Sequence, residues 1–600
     1  MTVEAERVPA RFEIPIEHTW DLTVVFADVP AWEAELAAVE AITQQLAARQ
    51  GSLGNGAAAL LTVLQERDET MRRFSSLYIY AAHRKDSDAT DQIGQALQDR
   101  AASAYARVAA AIAFIEPEIL SLSEATLAAW IAEEPGLQLY AYELERLNQQ
   151  RAHIRSAEVE AVLAEFMDVT RAPYEIYEML KDSDIRFPSI TDEQGATIQL
   201  SHARFGRLRE SEDRRVRHDA FHGYYNALSP FRNTMATALG AAVRNHVLNA
   251  RIRGYGSALE AALKPNEIPL EVYHNLISTV EANLGLNHRY MEIRKRLMGL
   301  DELRVYDLYA HPIPEVPLQM PYTEAWSLML EAFTPLGSEY SAALQQAFSN
   351  RWIDVYENVG KRSGAYSGGA YTTPPFILLN YQDRLDDAFT LAHELGHSIH
   401  SFFARRSQPF VYSGYTIFVA EVASTLNEAL LTDYMLKQRD DPALRRRLLV
   451  QQIEDIRRTI IRQTMFANFE LTLHQLAEQG QPLTAEDLSG RYKDLVARYH
   501  GPAVTLDDAI AYEWAFIPHF YYNFYVYQYA TGLSAALALS KQIITEGQPA
   551  VDRYLGFLQG GSSRSSIDLL RGAGVDMASP APVQAAMDTF GSLIDELDRL

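Results

Sequence analysis

Hydrophobic spacing constrains this chain more than any other feature. From about Trp32 to Leu180 nearly every window sets apolar residues at helical intervals, in Ala-, Leu-, Glu- and Arg-rich runs such as SAEVEAVLAEFMDV. The pattern resumes up to Leu297 and again from Asp386 to the C-terminus, apart from loops near Ser407 to Tyr415, Gly501 to Asp507 and at Gln559. Chains of this kind bury helix stripes against one another, so the expected fold is mainly α. Helix starts are expected at SLSE from Ser121 and TAED from Thr484, where a Ser or Thr three residues before an acid satisfies orphan amides.

Two stretches break the pattern. IRFPSITDEQGATIQLS, from Ile185, sets β-formers on both sides of Asp192-Glu193-Gln194-Gly195. It reads as a hairpin and as the boundary between a helical region, 1–184, and the rest, 185–600. Later come LRVYDLYA from Leu303, WIDVYENVG from Trp352 and PFILLNYQ from Pro375, the last two separated by the Gly-rich SGAYSGGAYTTP. A small β-sheet is expected there. With no internal repeat and no low-complexity linker, the expectation is one compact body with a cleft.

Composition removes several function classes. The 600 residues include no cysteine, which excludes disulfides, thiolate zinc sites and a catalytic cysteine, so any metal must be held by histidines and carboxylates. A net charge of -24 argues against nucleic acid as a partner, because phosphate binding needs a basic surface. Solubility explains the charge more simply than selection of cationic peptides. The first residues mix acids and prolines where an export signal needs a basic start and an apolar run. Runs such as ARVAAAIAFIEPEIL are broken by Arg107, Glu116 and Pro117, short of the roughly 20 residues of a membrane span. The expectation is a soluble cytoplasmic protein.

Chemistry concentrates in DDAFTLAHELGHSIHSFF, Asp386 to Phe403. On a helix, residues four apart share a face, so His393 and His397 can aim imidazole nitrogens at one ion, with Glu394 beside them reaching for its water. Leu391, Ala392, Leu395 and Ile399 supply a buried side, and Asp386 and Asp387 place negative charge at the helix start. Such a motif arises by chance in on the order of a few per cent of chains of this size, so a third ligand is needed to support it. Glu421 provides one. It lies in YTIFVAEVASTLNEALLTDYML, a second helical segment after a loop long enough to reverse direction, between Val419, Ala420, Val422 and Ala423. A carboxylate in that setting needs a partner. Glu428, two turns further along the same face, is placed to orient a ligand histidine. His400 is read as a packing histidine, since three ligands are already at hand. Near the C-terminus, HFYYNFYVYQY brings Tyr521, Tyr522, Tyr525, Tyr527 and Tyr529 together; half of them fit an aromatic core, while Tyr522, Tyr525 and Tyr529 recur as one helical stripe of hydroxyls.

These residues resemble the thimet oligopeptidase and oligoendopeptidase F family of zinc metallopeptidases, its oligoendopeptidase F branch most closely. The likeness rests on FTLAHELGHSIHSFF, FVAEVASTLNEALL, GKRSGAYSGG before PFILLNYQ, and IPHFYYNFYVYQYATG, and spans about Ile185 to Ala536. It implies a mainly α, bowl-like or ellipsoidal body with a deep substrate channel and a small β-sheet near the zinc helix, with 185–600 as the catalytic region. It implies one Zn2+ per chain on His393, His397 and Glu421, Glu394 as the catalytic glutamate, and His519, Tyr522 and Tyr529 contacting substrate. Short peptides in extended conformation are the implied substrates, cut at internal bonds.

On this reading Glu394 takes a proton from water and passes it to the leaving amine, and Tyr529, with Tyr522, donates to the oxyanion. PFILLNYQ is expected to offer a free edge for pairing with substrate backbone, and Gly364, Gly368 and Gly369 to let loop backbone approach it or to act as a hinge. The alternatives are a dipeptidyl carboxypeptidase or carboxypeptidase on the same zinc site, and a non-catalytic peptide-binding protein.

Overall fold

The structure is a computed structural model that describes residues 7–314, 318–438 and 441–600. It is 73% helical with a few short strands, as the spacing predicts. Helices Val29–Ala47, Ala57–Ser87 and Gln92–Ile112 open the fold and enclose Trp32, Leu36, Phe74, Leu77 and Leu97. Each such side chain contributes about 1.5–3 kcal/mol by leaving water. The Trp32 indole donates to the Leu77 carbonyl at 2.9 Å, so its one polar atom is satisfied inside. Asp28 caps the first helix by accepting from the Ala31 amide.

Thr484 caps its helix as expected, accepting from the Asp487 amide. The SLSE start moves by two residues. Ser121 ends one helix and Ser123, in extended backbone, caps the next by accepting from the Thr126 amide. The helix Ile115–Ser121 includes Ser121 itself, so the cap falls on the first serine free of helical geometry.

The hairpin forms where the sequence places it: β1 (Ser189–Thr191) pairs antiparallel with β2 (Thr197–Gln199). The Asp192 carboxylate accepts from the Gln194 and Ala196 amides, and Gly195 takes φ +83°, which L side chains rarely adopt. LRVYDLYA contributes only β3 (Leu303–Arg304). Beyond it the fully buried Asp307 accepts from Arg217 and from the Arg304 amide, which folds the chain into a 3-10 turn in place of a longer strand. The expected small sheet consists of β4 (Ile353–Tyr356), β5 (Tyr366–Gly368) and β6 (Phe376–Tyr381), in the order β4-β6-β5. β3 pairs with β7 (Val504–Thr505) instead.

One expectation is corrected here. The PFILLNYQ strand, β6, is central: it pairs parallel with β4 and antiparallel with β5, so it has no free edge. The Gly-rich segment supplies β5, which among the described residues pairs on one side only.

Packing groups the chain into two units, each of three segments. The first contains Met1–Arg151, Pro317–Met435 and Leu539–Val575; the second contains Ala152–Val316, Leu436–Ala538 and Asp576–Leu600. Inside the first, Phe376, Ile377 and Leu378 of β6 are fully buried, and Ser398 donates to the Pro375 carbonyl. Inside the second, Glu454 accepts from Tyr290, Arg294 and Arg457. Burial alone would raise the Glu454 carboxyl, yet the two guanidinium groups hold it well below the usual carboxylate range. No described helix is long and apolar enough to cross a membrane.

Candidate active site

The central strand β6 leads within a few residues into the helix Leu385–Ser407. Asp387 fixes its start by accepting from the Gln382 and Arg384 amides, both at 3.0 Å. Leu391, Ala392, Leu395 and Ile399 are fully buried on one side, which turns His393 and His397 towards a half-buried surface. The helix Ile417–Gln438 packs alongside. Two features bring them close. A Cβ on Gly396 would lie 2.5 Å from Ser424 Cα and 2.6 Å from the Ala423 carbonyl oxygen, so only glycine admits this approach. Asn427 then donates to the Ala392 carbonyl and accepts from the Tyr340 hydroxyl.

Three ligand atoms converge as a result. His393 Nε2 and His397 Nε2 are 3.1 Å apart, and Glu421 Oε2 lies 3.2 Å from the first and 3.4 Å from the second. Ligand atoms on a tetrahedral zinc with bonds of about 2.0–2.1 Å lie about 3.3 Å apart, so the spacing of these three atoms would suit such an ion. Among the described residues, these are the side chains grouped tightly enough to hold a metal. His393 Nδ1 donates to Glu428, which directs the other nitrogen at the cluster. Ser424 donates to Glu421 Oε2 at 3.0 Å.

The charges also suit a cation. Burial pulls His393 down, but its hydrogen bonds to Glu421 and Glu428, with their charges, push it up to about 10. Burial works to raise Glu421, and the two imidazoles hold it far below the usual range. The side chains thus stabilise positive charge at the point where they meet. Glu394 stands beside them, 7% exposed, with Oε2 lacking a hydrogen-bond partner among the described residues. Burial raises its pKa, and the histidines oppose the shift. A buried carboxylate oxygen without a partner is costly unless water or an ion meets it.

His400 is buried as expected, stacked on Tyr415 at 3.8 Å between ring centres, and burial lowers it to about 3. It is a packing residue.

The second set of predicted residues belongs to the second unit. Rings of Tyr522, Tyr525 and Tyr529 surround His519 at 5.5, 5.9 and 6.0 Å, and the Tyr529 hydroxyl is 3.5 Å from His519 Nε2. The grouping is real but its basis differs from the expected helical stripe. The helix begins only at Tyr527, and Asn523 and Phe524 form a turn with φ of +51° and +61°. Tyr527 is a core residue and Tyr521 is half-buried, and burial pushes both above the ordinary phenol range. Tyr174, which no sequence signal singled out, shares a 3.0 Å hydrogen bond with the Tyr522 hydroxyl. Gly396, Ser424 and Asn427 were likewise missed, although the glycine sits within the His-Glu-Leu-Gly-His motif itself.

Residues 207–589 match the model of peptidase family M3, and residues 118–187 match that of oligopeptidase F. The chain is 45% identical to oligopeptidase PepF of Bacillus subtilis over 597 residues, covering 100% of this chain and 89% of that one. It is 40% identical to the chromosomal oligoendopeptidase F of Lactococcus lactis subsp. cremoris, covering 99% of each. A crystal structure of oligoendopeptidase-F from Enterococcus faecium superposes with a TM-score of 0.74 at 38% identity, over 94% of this chain and 98% of that one. A crystal structure from Chlamydophila abortus reaches 0.93 at 36% identity, over 99% and 100%. Sequence, site and fold agree: the chain belongs to peptidase family M3, with the oligoendopeptidase F proteins, and is a metallopeptidase.

Proposed function

We propose that this protein is a zinc-dependent endopeptidase that hydrolyses internal bonds of short oligopeptides in extended conformation, with one Zn2+ per chain on His393, His397 and Glu421. The observation that carries this reading is the triangle of Nε2, Nε2 and Oε2 atoms with edges of 3.1, 3.2 and 3.4 Å. The names of the Bacillus and Lactococcus relatives support the substrate class.

When bound, zinc supplies Lewis acidity to water and to the scissile carbonyl. Glu394 accepts a proton at its buried carboxylate and delivers it to the leaving nitrogen. Its raised pKa suits both halves of that transfer. Glu428 holds His393 in the tautomer that keeps Nε2 free to ligate. Tyr529 and Tyr522 donate from their hydroxyls to the developing oxyanion, and His519, whose pKa burial lowers, is a hydrogen-bonding partner for substrate. The outer edge of β5, Tyr366–Gly368, offers backbone groups for strand addition, which reads little side-chain sequence. Location in the cytoplasm is part of the same proposal.

Glu394→Gln is the test. The variant should bind one zinc per chain by titration calorimetry while hydrolysis of a quenched fluorescent peptide falls by at least about 1000-fold. Near wild-type turnover would remove Glu394 from the mechanism. Mass spectrometry on peptides blocked at both ends separates the reaction types, since an endopeptidase cuts them and a carboxypeptidase or dipeptidyl carboxypeptidase does not. A peptide-binding protein without turnover would leave every substrate intact.

A further inference from the structure

Asn523 and Phe524 are consecutive L-residues with positive φ, a combination that persists only where surrounding structure enforces it. The enforcing element is the helix Arg462–Glu478. Glu470 Oε1 accepts from the Phe524 amide at 2.6 Å. One turn later His474 packs on the Phe524 ring at 4.3 Å, and Tyr273 closes the socket edge-on at 5.6 Å. Phe524 is 2% exposed. His474 is fixed in turn, Nδ1 donating to the Glu470 carbonyl at 2.8 Å and Nε2 accepting from His246 Nδ1 at 3.1 Å.

Glu470 is 1% exposed and its Oε2 has no hydrogen-bond partner among the described residues. A buried carboxyl without a cation beside it works against folding. Among the described residues, the Phe524 amide is the hydrogen-bond partner of its carboxyl. The residues flanking that turn are Tyr522 and Tyr525, with His519 and Tyr529 packed around them.

We propose that Glu470 is a positioning residue: by accepting from the Phe524 amide it sets the Asn523–Phe524 turn and so the directions of Tyr522, Tyr525, His519 and Tyr529. The proposal rests on the reading that those groups meet substrate. Burial pushes the Glu470 carboxyl up to about 8, so near neutral pH a glutamine carbonyl reproduces its acceptor.

The experiment compares Glu470→Gln with Glu470→Met, which keeps volume and removes the carboxyl acceptor. Glu470→Gln should keep kcat within about twofold. Glu470→Met should lower kcat by about tenfold or more at unchanged zinc content, with a smaller change in KM, and hydrogen exchange should quicken across 519–529. In a Tyr529→Phe background the Glu470→Met loss should shrink, because Tyr529 is one of the groups through which Glu470 acts. If Glu470→Met does not fold, Phe524→Leu, which leaves the carboxyl in place and loosens the socket, should show the same kcat loss. Wild-type kcat in Glu470→Met, unchanged exchange across 519–529, full additivity with Tyr529→Phe, or an equal loss in Glu470→Gln would each overturn the proposal. Failure of the underlying reading looks different: Tyr529→Phe and His519→Ala would both turn over at the wild-type rate, while exchange would still report whether Glu470 holds the turn.

Discussion

The imidazole of His393 is held at both nitrogens, Nδ1 donating to Glu428 and Nε2 meeting Glu421 and His397. Orientation is therefore set before any ion arrives, and a ligand that needs no reordering loses less entropy on binding. Among the described residues the Glu428 carboxylate pairs with His393 and with no other predicted ligand, so its contribution is separable. Glu428→Ala should weaken zinc binding about 10- to 100-fold, read by competition with a chelator, and Glu428→Gln should lose less because its carbonyl still accepts from Nδ1. Wild-type affinity in Glu428→Ala would show that packing alone orients the ring. His400 makes the contrast at the same scale. It lies on the same helix and is also an imidazole, but it is stacked on Tyr415 and buried, and among the described residues no carboxylate pairs with it.

Between helices, the decisive contact is Gly396 against Ala423 and Ser424. Backbone atoms cannot yield as a flexible side chain can, so Gly396→Ala must push Ile417–Gln438 away and carry Glu421 with it. Overpacking costs typically about 1–3 kcal/mol, and here it is aimed at the ligand geometry. Gly396→Ala should lower the urea midpoint and lose zinc together; a stable variant with full zinc content would refute the close-approach argument. The His393–His397 pair was legible in the sequence because helical spacing is local, and Glu421 because an apolar segment around a carboxylate demands a partner. Errors arose where distant residues decide. The tyrosine stripe is a turn because Glu470 and His474, some 50 residues upstream, hold Phe524 outside helical geometry. The edge strand comes from Tyr366–Gly368, whose glycine opposes strand formation, and it forms because β6 offers it a ladder. Asp307 ends β3 through arginines roughly 90 residues away. Outside the tyrosine segment helix identity survived such effects, and of the two expected caps Thr484 held while the other moved from Ser121 to Ser123.

Across the molecule, buried titratable groups set opposite limits on stability. His83 and His400 in the first unit, and His474 and His500 in the second, are buried and lowered by that burial to about 4, 3, 3 and 4. Each stays neutral when folded and takes a proton when unfolded below its ordinary pKa of about 6.5. Their contribution is therefore present above pH 6.5 and is lost as pH falls towards 3–4, at up to about 1.4 kcal/mol per pH unit for each histidine. Glu470 has the opposite sign. Its folded pKa of about 8 lies above the ordinary carboxylate value, so its favourable contribution is complete only below about pH 4.5 and fades as pH rises towards 8. The groups facing it are the Phe524 amide, Tyr273 and the neutral His474–His246 pair, none of which supplies a compensating positive charge at these pH values. Urea midpoints of the metal-loaded protein should therefore peak near pH 6.5 and fall steeply on the acid side in both units, because each unit holds two of the four histidines. Glu470→Gln removes the alkaline limb alone. Its stability relative to wild type should grow by about 3 kcal/mol between pH 5 and pH 8, and a pH-independent difference would mean that the Glu470 carboxyl titrates as an ordinary, solvated acid.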